Sequence, residues 1–188
     1  MESLDDFGQY VSLHFAKQDI VGRETAFGCL TLTVLRAALV RTVSFLRDDA
    51  ACRFTQLTDI TAVHYPNRAE EFVLLYRLTS PMLNRRICLK MQTARDVAVA
   101  SLGGVFPNAV WYEREIREMF GVSFENHPDL RRLLIDESVG GFPLRKDFPK
   151  VGKNKLSYDE KTESFIVSEK QPEPQKNLIA LNLAGESE

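Results

Sequence analysis

Two stretches in the middle of the chain alternate apolar and polar residues with the period of two that a β-strand requires. The apolar positions are Phe72, Leu74, Tyr76 and Leu78 in the first stretch and Ile87, Leu89 and Met91 in the second. Each stretch therefore has one face for a hydrophobic core. The turn sequence at residues 80–84 lies between them and predicts an antiparallel connection.

Further strand and helix patterns precede this pair. Residues 27–35 predict a strand with Leu30, Leu32 and Val34 on one face, and residues 54–65 predict another strand. Between them, apolar residues recur at helical spacing, at positions Leu35, Leu39, Val43 and Leu46. A strand, a helix and a strand in close succession indicate a right-handed crossover unit, whereas residues 54–92 indicate an antiparallel meander. The fold class is therefore α+β (α/β), with a mixed sheet packed by helices.

Two more helices are predicted outside the strands. Residues 4–17 predict an amphipathic helix that Ser3 caps. Residues 107–120 predict a longer one, ended by Gly121, with Tyr112, Ile116, Met119 and Phe120 in one apolar stripe. On its solvent side we expect Glu113, Arg114, Arg117 and Glu118, with Glu115 at the edge of the stripe. Residues 94–102 predict a short helix between the meander and this one.

The chain is thus predicted to contain one core-bearing domain with additional segments. Residues 1–26 form an N-terminal helical segment, residues 27–122 the mixed-sheet core domain, and residues 150–188 an extended C-terminal tail with a small hairpin around residues 159–162. Residues 123–149, called the docking segment below, contain several Pro and Gly residues that disfavour a long regular helix.

Composition excludes several classes of function. The net charge is -2, which gives no electrostatic reason to expect a nucleic-acid partner. No stretch approaches the ~20 apolar residues of a membrane-spanning helix, and the acidic start lacks the apolar region of a signal peptide. Cys29, Cys52 and Cys88 are far apart and lack ligand spacing with the histidines. We therefore predict that this chain binds no iron–sulfur cluster, zinc or other cofactor of its own and has no disulfide framework.

The acidic residues near the third predicted helix allow two interpretations. Glu113, Glu115, Glu118 and Asp136 are candidates for a general acid/base pair, with His127 as a proton shuttle. In the alternative, Glu113 and Glu118 lie on a solvated helix face and His127 holds a turn by hydrogen bonding. The second interpretation is favoured because no nucleophile, phosphate-binding loop or metal-ligand set accompanies the acids.

The docking segment mixes charge with apolar side chains in a pattern typical of a protein interface. Its basic residues alternate with acids instead of with aromatic stacking platforms, which argues against nucleic-acid binding. We expect polar contacts from Glu115, His127, Arg131, Arg132, Arg145, Lys146 and Asp147. Trp111, Phe142 and Phe148 are the expected aromatic anchors.

Three motifs resemble a known family. The segments E-R-E-I-R-E-M-F-G-V (113–122), H-P-D-L-R-R-L-L (127–134) and F-P-L-R-K-D-F-P (142–149) resemble the C-type, or thirty-kilodalton-type, subunit of NADH–quinone oxidoreductase, the respiratory complex I. Residues 45–54, 84–90 and 157–161 are similar more loosely. The chain departs from the family at D-E-S-V-G-G-F-P (136–143), where the family usually has Asp-Tyr-Gly-Phe-x-Gly-His-Pro, and at Glu118, where Asp is usual.

The resemblance implies a structural subunit of the peripheral arm. In such complexes FMN, iron–sulfur clusters, NADH and quinone are bound by other subunits, and this one lies beside the quinone-site (D-type) and terminal iron–sulfur (B-type) subunits. It would be peripheral on the matrix side of the mitochondrial inner membrane or the cytoplasmic face of a bacterial membrane. The alternatives are the equivalent subunit of a membrane-bound hydrogenase or of a photosynthetic complex, and a free-standing hydrolase that uses Glu115 and His127.

Overall fold

A five-stranded mixed sheet forms the centre of the first of two compact units, residues 1–148 and 149–188. A computed structural model describes residues 3–135, 140–149 and 154–169. The strands are β1 (Ile20–Ala26), β2 (Cys29–Val34), β3 (Gln56–His64), β4 (Phe72–Ser80) and β5 (Arg85–Thr93), and their order in the sheet is β1-β2-β5-β4-β3. Within this five-stranded sheet, β2–β5 is the only parallel pair. The predicted mixed sheet and the β3–β4–β5 meander are confirmed.

Strand β1 is the main correction to the predicted organisation. Residues 1–26 were predicted to be helical, but the helix α1 covers only Leu4–Leu13, and Ile20–Ala26 pairs with β2 at the edge of the sheet. No signal in the sequence marks this strand, because its exposed positions follow no period of two. The predicted cap of α1 is confirmed, since Asp6 N–H donates to Ser3 Oγ at 3.0 Å.

The other helices follow the predicted apolar spacing. A 3-10 turn at Arg36–Ala38 leads into α2 (Leu39–Asp48), which connects β2 to the parallel strand β3 past β5 and β4. Helix α3 covers Ala109–Phe120. The helix predicted over residues 94–102 is wrong: Val99–Ala100 forms a short strand, β6, that pairs with β7 (Phe124–Glu125). Its backbone groups bond to a segment beyond α3 instead of to one another.

A single hydrophobic cluster joins the helices to one face of the sheet. It contains Leu30, Leu32 and Val34 of β2, the four predicted positions of β4 and the three of β5, together with apolar residues of all three helices. Complete burial of a Leu or Phe side chain contributes about 1.5–3 kcal/mol. The alternation noted in the sequence therefore identifies the face of the sheet that supports α3.

The second unit contains the predicted hairpin. Strands β8 (Asn154–Asp159) and β9 (Ser164–Glu169) pair antiparallel, and the rings of Tyr158 and Phe165 meet edge to face at 5.3 Å between centroids. Residues 150–153 and 170–188, including most of the predicted tail, lie outside the described residues. Among the helices in the described ranges, none has the length and apolar character that crossing a membrane requires.

Candidate docking surface at helix α3

Helix α3 is held on the sheet by polar contacts to β3 and by its apolar stripe. Asn108 Nδ2 donates to the carbonyl of Leu57, and Tyr112 OH donates to the carbonyl of Thr58, each at 2.9 Å. Ile116 and Phe120 are buried in the core. The predicted stripe is thus confirmed, and it leaves the remaining sides of α3 for the chain that follows.

Glu113 is fully buried beside the loop that precedes α3. Ser101 Oγ and the N–H of Leu102 donate to its carboxylate at 2.6 and 2.7 Å. Burial raises the pKa of Glu113, and these two hydrogen bonds oppose the rise because they favour the charged form. Glu113 therefore fixes the loop of residues 101–102 against the helix.

His127 holds the start of the docking segment to α3. The N–H of Asp129 donates to His127 Nδ1 at 3.0 Å, so this nitrogen bears no proton and the ring proton lies on Nε2. Nε2 then donates to the carbonyl of Val110 at 3.0 Å, and it lies 3.8 Å from the Glu113 carboxylate. The predicted role of His127 in a hydrogen-bonded turn is confirmed.

Glu118 binds the middle of the docking segment through main-chain donors. Its carboxylate accepts hydrogen bonds from the N–H groups of Leu133, Leu134 and Ile135 at 2.8–2.9 Å. Burial alone would raise the pKa of Glu118, but the three hydrogen bonds outweigh burial and lower it. One carboxylate thereby fixes three consecutive residues that form no regular structure.

Arg114 supports the same segment from the next turn of the helix. Its Nε and Nη2 donate to the carbonyls of Arg131 and Arg132 at 2.9 Å, and its guanidinium lies 5.3 Å from the centre of the Trp111 ring. Arg131 forms a salt bridge with Asp129 at 2.7 Å, and this arginine holds the pKa of Asp129 far below its usual range. The backbone is thus held by α3, and the Trp111 side chain, 57% exposed, faces outward.

The end of α3 receives the second part of the docking segment. Gly121 has φ +75°, and a Cβ there would meet Arg145 Nη2 at 2.5 Å and the Phe142 ring at 2.6 Å. Arg145 donates to the carbonyl of Phe120, and its guanidinium lies 4.2 Å from the centre of the Phe142 ring and 5.1 Å from that of Phe72. The glycine predicted to end the helix therefore also provides space for these two side chains.

His64 at the end of β3 fixes the residue after Arg145. The N–H of Lys146 donates to His64 Nδ1 at 3.0 Å, and the protonated Nε2 of His64 donates to Glu71 at 3.0 Å. Glu71 also forms a bidentate pair with Arg95 at 2.6 and 2.9 Å. Arg95 in turn contacts Asp147 at 3.3 Å. The arginine and the histidine lower the pKa of Glu71 to about 2, against the opposing effect of burial.

The structure corrects the predicted environment of the acids. Glu113 and Glu118 were expected on a solvated face but are buried, whereas Glu115, expected at the edge of the apolar stripe, is exposed. The reason is that the loop of residues 101–102 covers Glu113 and the docking segment covers Glu118, which helix periodicity cannot reveal. The predicted general acid/base partner Asp136 lies outside the described residues.

The predicted interface residues fall into two groups. Around residues 111–135, the side chains of Arg131 and Arg132 are exposed near Trp111, and that of His127 is buried. Around residues 142–148, Phe142, Arg145 and Phe148 are partly buried while Lys146 and Asp147 are exposed. Leu134 and Leu144, exposed by 59% and 51%, add apolar surface. Among the described residues, no group of three or more His, Cys, Asp or Glu is placed to hold a metal ion.

Sequence reasoning missed several residues that shape this surface, namely Arg114, His64, Glu71 and Arg95. A signal existed for His64, which follows Ile60 and Ala62 at core-facing positions of β3. A polar residue at such a position requires a hydrogen-bond partner. Arg114 and Arg95 have no comparable signal, because their acceptors are main-chain carbonyls or distant acids.

Comparison with known proteins agrees with these motifs. The family described as respiratory-chain NADH dehydrogenase, 30 Kd subunit, matches residues 32–154, which include β3–β5, α3 and the docking segment. The chain belongs to this family. Relatives named as the C subunit of NADH-quinone oxidoreductase include that of Caulobacter vibrioides, 48% identical over 147 residues (78% of this chain, 75% of the relative), and that of Parvibaculum lavamentivorans, 45% identical over 159 residues (85% and 79%).

A solved structure has the same fold as this family member. It is a chain from the membrane-bound sulfane sulfur reductase, an archaeal respiratory membrane complex, with a TM-score of 0.66. The match covers 78% of this chain and 86% of that chain at 24% identity. At that identity the likeness concerns the fold alone.

Proposed function

We propose that this chain is a structural subunit of an NADH–quinone oxidoreductase, a respiratory complex I-type assembly, and that it holds neighbouring subunits together without an active site or redox centre of its own. Family membership and the relatives named as the C subunit support the assembly. The non-catalytic role rests on how the charged side chains around α3 are used.

The central observation is that charged side chains of α3 bind the main chain of the docking segment. Glu118 accepts three N–H groups, and Arg114 donates to two carbonyls. Hydrogen bonds to charged groups contribute about 1.5–3 kcal/mol each, so these contacts fix a segment that has no helix or strand ladder. A fixed irregular surface with an exposed Trp111 suits a permanent protein interface, where aromatic anchors of this kind provide much of the affinity.

Three of the candidate catalytic groups, Glu113, Glu118 and His127, have structural roles that support the same proposal. Both nitrogens of His127 are used by Val110 and Asp129, and the Glu113 carboxylate is used by Ser101 and Leu102. A general base needs a free lone pair directed at substrate. The proposed absence of a redox centre is tested separately: the chain purified alone is expected to show no stoichiometric chromophore or paramagnetic signal in optical and electron paramagnetic resonance spectra, and either signal would contradict it.

The proposed partners are the quinone-site and terminal iron–sulfur subunits of the same complex. The exposed residues Trp111, Arg131, Arg132 and Lys146 provide the contact surface, and the chain associates with the membrane through the complex, on its cytoplasmic or matrix side. Cross-linking of the intact complex through Lys146, followed by mass spectrometry, is expected to yield peptides from these two subunits.

The test of the proposal is Arg145→Ala in cells that have this variant as their only copy. Loss of the guanidinium frees the Phe120 carbonyl and the Phe142 ring, so the second part of the docking segment loses its support beside Gly121. The amount of assembled complex on native gels is expected to fall severalfold, while NADH oxidation per assembled complex stays near that of the wild type.

Arg68→Ala is the matched control, because Arg68 is an exposed arginine that stacks on Tyr65 at 4.1 Å outside the docking segment. It is expected to leave assembly unchanged. Normal assembly of Arg145→Ala with lost turnover would contradict the proposal, since it would place the arginine in the reaction itself.

A further inference from the structure

The turn between β1 and β2 places a phenylalanine in a conformation that disfavours it. Phe27 has φ +51° and Gly28 has φ +72°, so both central residues of this two-residue hairpin turn are left-handed. Such a type I′ turn strongly favours Asn-Gly, because a bulky side chain is strained at the first position. The Phe27 side chain is nevertheless fully exposed and gains no burial within the described residues.

A second apolar turn lies beside the first. Strand β2 runs parallel to β5 with Leu30 opposite Ile87, so the turns that precede these two strands emerge at the same end of the sheet. The second turn presents Met82, which is 74% exposed, and Leu83. We name Phe27, Met82 and Leu83 together the sheet tip.

Arginines surround the sheet tip. Arg53, itself left-handed at φ +46°, contacts Met82 Sδ through Nη1 at 3.7 Å. Arg86 is exposed at the start of β5, and Arg85 lies 4.9 Å from the centre of the Phe7 ring.

Two acids at the same end of the sheet form hydrogen bonds within the chain. Asp5 accepts a hydrogen bond from Thr25 Oγ1 at 2.8 Å, and Asp6 takes part in the cap of α1. Both side chains, like that of Glu24 in β1, are exposed and keep their negative charge, because Ser and Thr are neutral donors. Arg86 is also exposed and forms no salt bridge with another described residue, so it is the cation at the sheet tip that can pair with an acid of a partner.

We propose that the sheet tip is a second docking site, separate from the surface around α3, for a protein partner with an apolar pocket and, at its border, a carboxylate that pairs with Arg86. A rigid aromatic side chain on a two-residue turn is preorganised to fill such a pocket, and the strain at position 27 is compensated only when the pocket buries it. Electrostatic membrane binding usually needs clusters of four to eight basic residues, so a protein surface is the better fit. The inference rests on the proposed function for the identity of the assembly that supplies the partner.

Phe27→Asn separates a structural role from a docking role, because it supplies the residue that the turn favours. The isolated chain is expected to gain thermal stability, with a rise in the unfolding temperature of about 1–5 °C. Retention of the chain in the purified complex during a salt wash is expected to fall by about tenfold, as for loss of an anchor residue. Met82→Gln is expected to act in the same direction, and Arg86→Glu to increase the salt sensitivity.

Leu13→Asn is the matched control, because Leu13 is 77% exposed and lies at the end of α1 away from the sheet tip. This variant is expected to leave retention of the chain in the complex unchanged. Normal retention of Phe27→Asn overturns the inference. If Arg145→Ala still lowers the amount of assembled complex in that case, the proposed function stands and only the inference about the sheet tip is wrong.

Two further measurements test whether the sheet tip instead binds a membrane or a second copy of this chain. Binding of the isolated wild-type chain, but not of Phe27→Asn, to phosphatidylglycerol vesicles would overturn the inference in favour of a membrane contact. A wild-type dimer in analytical ultracentrifugation that Phe27→Asn converts to monomer would overturn it in favour of self-association.

Discussion

The sheet and the docking segment of this family member are stabilised in different ways. Strands β2, β4 and β5 bury continuous apolar faces in one core, and their backbone groups pair in ladders. The described part of the docking segment has only the two-residue strand β7, and polar side chains from α3 and β3 bind its main chain. The stability of the sheet thus comes from many contacts between apolar side chains. The conformation of the docking segment instead depends on a few charged or polar side chains, several of which form more than one hydrogen bond.

The largest effect is expected from truncation in the sheet. Leu89→Ala removes a completely buried side chain from β5 and is expected to lower the free energy of unfolding by about 2–5 kcal/mol, measured by urea denaturation. Gln92→Ala, on the opposite face of the same strand, is the control and should cost less than about 0.5 kcal/mol. Equal losses for the two variants would show that the apolar face does not dominate the stability of the sheet.

A smaller and local effect is expected from Glu118→Gln. The amide keeps one acceptor oxygen but turns an NH₂ group toward main-chain donors, so at least one partly buried N–H loses its partner, at about 1–3 kcal/mol. Hydrogen exchange should become faster at the amides of Leu133, Leu134 and Ile135, with the amides of β4 and β5 unchanged.

Glu115→Gln provides the control for this experiment, because Glu115 is exposed on the same helix. It is expected to leave all of these amides protected. Faster exchange throughout the sheet in Glu118→Gln would mean that the docking segment and the sheet unfold together, which would remove the distinction between the two regions.

The smallest effect on stability is expected at Glu71, where the sheet meets the docking segment, and this effect depends on pH. The pKa of Glu71 is lowered from its ordinary 4.5 to about 2, first by Arg95 and then by His64. A lowered pKa means that the folded state favours the ionised form, so the stabilisation is complete above pH 4.5 and is lost as the pH falls toward 2. The difference in urea midpoint between the wild type and Glu71→Gln should therefore be largest at pH 7 and should shrink below pH 4.5.

Glu70→Gln, a change at the exposed neighbouring residue, should show no such pH dependence. A difference between the wild type and Glu71→Gln that stays constant from pH 7 to pH 3 would show that the pairs with Arg95 and His64 do not favour the ionised carboxylate.

The sequence predicted the parts of the fold in which apolar spacing repeats. The faces of β2, β4 and β5, the position of α2 and the end of α3 at Gly121 follow from periods of 2 and 3.6 and from one left-handed glycine. Edge strand β1 was missed because only one of its sides approaches the core and its exposed side follows no alternation. The helix predicted at residues 94–102 was wrong because the partner of β6 lies beyond α3.

The candidate surface was predicted less completely than the fold. The three motifs located the docking segment, and the turn role of His127 was expected, but Glu113 and Glu118 were expected to be exposed to solvent and are buried. The contacts proposed between Trp111, Arg131, Arg132 or Lys146 and other subunits stay predictions. The exposure of these side chains is a property of this chain alone, whereas their contacts also depend on the partner subunit.

By itself, then, the amino-acid sequence determined the apolar faces, the helix end and the family, because each depends on the type and spacing of nearby residues. Only the tertiary structure decided which charged side chains of α3 are buried and which groups they bind. The donors that surround Glu118 come from residues 15–17 positions away. Main-chain N–H groups are present at every residue except proline, so no pattern of side chains could have identified the N–H groups of residues 133–135 as the partners of Glu118.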